Sequence, residues 1–201
     1  MKLSNLCVLL AGAGLALGGC QKNASEPTAN GTAAAESKTS DATSSDPVKS
    51  AESAAPASIA QNASVITVGT DGKVTELRKG SNGWTCMPDS PATPGPDPMC
   101  MDANAGKWAQ AWMGHKPPPE ATTGVIYMLE GGTDASNTDP YAPKPTAEND
   151  WIKTGPHIMV VGSKDILAGM PSGAKPDTAA PYVMWAGTPY AHLMMPVAAA
   201  Q

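Results

Sequence analysis

The chain has 201 residues, and 18 acidic against 13 basic side chains leave a formal net charge of −5. That balance disfavours nucleic acid and non-specific adhesion to anionic lipid as partners. Twenty glycines, twenty prolines, five tryptophans, eleven methionines and no phenylalanine exclude long regular elements and point to a core filled by methionine and tryptophan.

In chain order, the first segment carries Lys2 as its only charge, then an apolar run from Leu6 to Leu17 that ends in Gly18, Gly19 and Cys20. The run falls short of the roughly 20 residues a membrane-spanning helix needs, so it reads as an export signal. Leu17-Gly18-Gly19-Cys20 resembles the lipobox of bacterial lipoproteins, which is cleaved immediately before its cysteine. The resemblance implies that residues 1–19 form a signal peptide, that Cys20 becomes an acylated N-terminus, and that this lipid is the membrane partner. Two or more acyl chains anchor stably where one does not. In the enterobacterial members of that family, a Gln such as Gln21 after the cysteine directs the protein to the outer membrane, facing the periplasm. Residues 20–62 are rich in Ala, Ser, Thr, Glu, Pro and Asn, with Val48 and Ile59 as the large aliphatics. Such a segment cannot offset its ordering entropy by burial, and it reads as a disordered tether spanning roughly 35 Å.

Residues 63–201 have the length of one globular domain. Ser64 to Gly69 and Lys73 to Arg78 flank Thr70-Asp71-Gly72, a strong hairpin signal. Trp84 to Cys86 predicts a third short strand, and the prolines between Asp89 and Pro98 predict an irregular loop. Cys86 and Cys100 flank that loop. They are the pair left when Cys7 is removed and Cys20 is lipidated, and an oxidising compartment favours a disulfide between them. A redox dithiol or a soft metal site, with Met87, Met99 and Met101 adjacent, is the competing reading. Asp102 caps a predicted helix with Ala105, Trp108, Ala109 and Trp112 on one face, and Gly114 ends it. The two indoles either dock on a sheet or form a platform for a sugar or peptide. Val125 to Leu129, His157 to Val161, Tyr182 to Ala186 and Ala191 to Val197 predict further strands, with a helical turn at Asp165 to Ala168. The expected fold class is α+β: an antiparallel sheet of five to seven short strands, one main helix and long Gly/Pro-rich loops. A mostly-β sandwich is the alternative.

Three sequence patterns bear on chemistry. Each histidine has a methionine two positions away: Met113 with His115, His157 with Met159, and His192 with Met194. Residues two apart share a strand face. If the last two strands are neighbours, His157, Met159, His192 and Met194 converge as a copper site, because thioether with imidazole favours Cu(I). Methionine used as core filler gives the same pattern. The run Thr133, Asp134, Ser136, Asn137 and Asp139 is an oxygen-rich loop that reads as a ligand or calcium site, or as self-bonded turns. Finally, there is no Gly-x-Ser-x-Gly elbow, no His-Glu-x-x-His helix, no phosphate-binding glycine loop and no Cys-x-x-Cys, so no catalytic set is assigned. Two functional readings follow. The first is a non-enzymatic envelope lipoprotein that binds a small ligand, an envelope protein or copper. The second is a small periplasmic hydrolase that uses His157 or His192 with a loop aspartate.

Overall fold

A computed structural model describes residues 44–198. The predicted signal peptide, Cys20, residues 21–43 of the predicted tether and residues 199–201 lie outside the described residues. Among the described residues no helix is long and apolar enough to cross a membrane.

The described chain is mostly β with few helices. In order it forms α1 (Pro47–Ser53), α2 (Ala57–Ala60), β1 (Ser64–Val68), β2 (Val74–Arg78), β3 (Thr85–Met87), β4 (Met99–Met101) and α3 (Ala103–Met113). There follow β5 (Gly124–Met128), β6 (Gly132–Ser136), β7 (Trp151–Thr154), β8 (His157–Val161), a 3-10 turn at Asp165–Leu167, β9 (Tyr182–Met184) and β10 (His192–Pro196). Eight strands make one sheet in the order β2-β1-β3-β4-β5-β8-β10-β9, while β6 and β7 form a separate pair. This corrects the expectation of five to seven antiparallel strands. The sheet is mixed because β1 runs parallel to β3, and short Met99–Met101 joins it as a full member by pairing with β3 and β5.

A second correction concerns the chain before residue 63. Asp46 caps α1 by accepting from the Val48 amide, with Pro47 at the first helical position, a favourable start for a helix. Ala51, Ala54, Ala55, Ala60 and Ala63 are buried with Val65, Cys86 and Cys100 in one core cluster. Small alanines let two short helices lie close against the sheet, so residues 47–60 belong to the folded part rather than to the tether. Arg78 fixes them by pairing with Glu52 and donating to the Ala60 and Ala63 carbonyls.

Strand alternation divides the core. Cys86, Cys100 and Tyr127 face α1 and α2, while Met101, Ile126 and Met128 face the other way, into a cluster with Trp108 of α3, Trp185, Tyr190 and Met194. Cys86 and Cys100 are register partners across β3 and β4, 4.0 Å apart at Cα and at disulfide distance. Asp102 accepts from the Ala105 amide with one oxygen and from the Val125 amide with the other. That single carboxylate therefore starts α3 and ties it to β5. Gly124 permits this approach, because a Cβ there would overlap the Ala105 backbone.

Candidate functional site: a methionine-lined cavity

The strands that carry the two inner histidines are neighbours. β8 and β10 pair antiparallel with Met159 opposite Met194, so all four predicted residues share the sheet face under α3. They line one cavity of about 190 Å³, together with Met99, Met128, Met184, Trp108, Trp112 and Trp185. Register adds two methionines that the sequence pattern missed: Met128 lies opposite His157, and Met184 opposite His192. Sequence offered no signal for them beyond composition, since they come from other strands.

Register also staggers the two histidines along the sheet. Each histidine precedes its methionine by two residues, and the strands run in opposite directions. His157 therefore stands opposite Pro196, while His192 lies four residues further along, roughly 13 Å of strand. The histidines occupy opposite ends of the Met159–Met194 rung.

Both rings are prepared in the same way. His157 Nδ1 lies 2.7 Å from the Gly155 carbonyl oxygen and His192 Nδ1 2.9 Å from that of Tyr190. A carbonyl only accepts, so Nδ1 carries the proton in each and Nε2 keeps its lone pair. Burial holds His157 below the ordinary imidazole pKa, and pushes His192 down to about 4, with a smaller contribution from the nearby His157. Both are neutral at pH 7. His192 is 1% exposed, and its Nε2 has no hydrogen-bond partner. Trp108 and Trp185 set their ring planes nearly perpendicular to it, at centroid distances of 5.4 and 4.9 Å. Trp185 reaches this position with a left-handed backbone (φ 57°), which costs a bulky residue of order 1–3 kcal/mol and is concentrated at functional sites.

The polar loop has a different place. Thr133, Asp134 and Ser136 lie in β6, not in a loop. Thr133 donates to the Gly95 carbonyl; the Ser136 hydroxyl donates to the Asn149 carbonyl and accepts from the Thr138 and Asp139 amides. The Asn137 amide group donates to the Gly173 and Ala174 carbonyls, and Asp139 accepts from the Tyr141 amide. The Ser136 carbonyl accepts from the Trp185 indole and the Asn137 carbonyl from the Trp185 amide. The Ser136 hydroxyl and the Asn137 side-chain nitrogen are engaged by the chain itself, Asn137 Oδ1 is buried without a partner, and the backbone of both residues positions Trp185.

Among the described residues no three His, Cys, Asp or Glu side chains gather to hold an ion. The other potential donors lining the cavity are the thioethers of Met99, Met128, Met159, Met184 and Met194, together with Asp97, Thr133 and Thr154. Each Nδ1 is bonded to a backbone carbonyl, so neither Asp134 nor Asp139 orients a histidine as a hydrolase would require. The third histidine lies apart, stacked on Tyr141 at 3.9 Å, and its neighbour Met113 is exposed. Comparison with protein-family models, curated proteins and solved structures finds no match for the chain.

Proposed function

We propose that this protein is a non-enzymatic, lipid-anchored envelope protein whose folded part binds copper(I). The observation that carries the reading is the His192 Nε2 lone pair, fully buried and unpartnered, on a residue that lines a cavity walled by methionine. A buried acceptor left without a partner costs about 1–3 kcal/mol, and thioether sulfurs offer it no proton. Coordination of a soft ion by that nitrogen, with Met194 beside it on β10 and Met184 opposite, would use both donor types at once. The backbone carbonyl on Nδ1 sets the tautomer, as second-shell partners of metal-bound histidines commonly do. The five methionines that line the cavity favour a soft ion over zinc or calcium, although Asp97 also lines it.

The lipobox resemblance at Cys20 supplies the compartment, with the anchor near the outer membrane and the folded part on the periplasmic side. Copper(I) titrated anaerobically into the purified, tagless protein is expected to bind at about one equivalent and to quench tryptophan fluorescence, because Trp108 and Trp185 flank His192. His192→Ala removes the uptake and zinc(II) does not compete for it. No uptake, or uptake unchanged in the His157→Ala, His192→Ala double variant, would overturn the reading. Fatty-acid labelling that persists in Cys20→Ser would remove the anchor.

A further inference from the structure

A second space meets the methionine cavity at a shared wall. An open cleft of about 400 Å³ lies beside the end of β10, and His157 and Met194 line both spaces. From the reading of the cavity as a copper(I) site, we infer that this cleft is the way in. His157 is the transfer ligand at the wall, and the Met159–Met194 rung carries the ion on to His192.

Three observations support the route. His192 is the more enclosed of the two imidazoles, 1% exposed against 4% for His157, and of the two it is His157 that also lines the cleft. His157 offers the same chemistry as His192, a neutral imidazole with Nδ1 spent on a carbonyl and Nε2 left over, and it stands at the far end of the rung. Its ring has room because residue 132 is glycine: a Cβ there would lie 3.1 Å from His157 Cε1 and 2.8 Å from Thr154 Oγ1.

The transfer is simple to balance. The ion leaves a solvent ligand for His157 Nε2, exchanges that nitrogen for thioether sulfur, and gains His192 Nε2. Copper stays monovalent throughout, and no proton is released because both Nε2 atoms are already unprotonated. Stepwise exchange avoids a bare charge in a low-dielectric interior. A second cation at the other end of the rung would be repelled by the first, so the two imidazoles serve one ion in turn.

Stopped-flow tryptophan quenching by copper(I), added as its acetonitrile complex to the full chain, reads arrival at His192. Ala179→Phe and Ala198→Phe, both on exposed cleft residues, are expected to slow uptake and release by about tenfold with little change in affinity. His157→Ala is expected to do the same. A purely structural role would change affinity or folding rather than both rates together. Unchanged rates in the cleft variants would overturn the route and leave the cavity rim at Asp97 as the door. Loss of affinity in His157→Ala as large as in His192→Ala, or a second bound ion that disappears with His157, would make His157 a resident ligand and equally overturn it. Absence of binding in the parent chain would instead remove the copper reading itself.

Discussion

His192 links the cavity to stability through its proton. The folded protein holds it neutral down to about pH 4, whereas in the unfolded chain it protonates near 6.5. Between those values the unfolded chain binds more protons, so stability is full above pH 6.5 and is lost as pH falls towards 4, by about 3 kcal/mol in all. Burial of His157 acts in the same direction. Thermal melts of the metal-free protein are expected to show a falling Tm across that window, and His192→Gln is expected to flatten much of the fall; a parent profile flat from 6.5 to 4 would contradict the burial. The paired spacing of His157 with Met159 and His192 with Met194 was legible in the sequence. Their antiparallel offset was not, because it depends on which residues of β8 and β10 stand opposite. Ser136 and Asn137 looked like ligand donors for a related reason. Sequence shows polar atoms, but only tertiary contact shows that the Ser136 hydroxyl already donates to the Asn149 carbonyl and the Asn137 nitrogen to those of Gly173 and Ala174, and that Trp185 hangs from their backbone.

At the scale of elements, α3 depends on one residue at its start. Asp102 serves as cap and as anchor to β5, so Asp102→Ala removes two hydrogen bonds and leaves the Val125 amide without its partner. A loss of about 1–2 kcal/mol is expected, measured as a lower denaturant midpoint, with a weaker near-ultraviolet signal from Trp108 and Trp112 as the helix loosens. Asp102→Asn retains one acceptor and is expected to lose less. This helix was readable from end to end, since its cap, apolar face and terminal glycine are all local signals. Strands with a continuous apolar run, such as β5, β8 and β10, were readable for the same reason. β4 was missed because Met99–Met101 is too short to show a period, and it is held by partners on both sides. β6 and β7 were missed because Gly132–Ser136 is polar and, among the described residues, each strand has only the other as its sheet partner. α1 and α2 were missed because burial through alanine does not register as hydrophobic patterning, although several alanines together cover Val65 and the cysteines.

Across the whole molecule, the sheet separates a bracing face from a binding face. Because α1 and α2 cover the bracing face, a chain beginning at Ala63 would expose Val65, Cys86 and Cys100 and is expected to lose at least about 2 kcal/mol relative to one that keeps residues 44–62; equal denaturant midpoints would show that these helices contribute nothing. The cysteines test the separation more directly. Their bond would close a loop of 14 residues, so reduction is expected to lower stability by about 3 kcal/mol in the chain-entropy model. Both cysteines point away from the cavity, towards the alanines of α1 and α2, while Met87 and Met99 beside them pack against the tryptophan side. Copper(I) affinity, measured by chelator competition at a temperature where the reduced protein remains folded, is therefore expected to match that of the oxidised protein, and Cys86→Ser with Cys100→Ser to behave alike. If reduction instead raised affinity and added thiolate-to-metal absorption, the cysteines would be ligands, and the division of the sheet into two independent faces would fail at the strands where it is most clearly drawn.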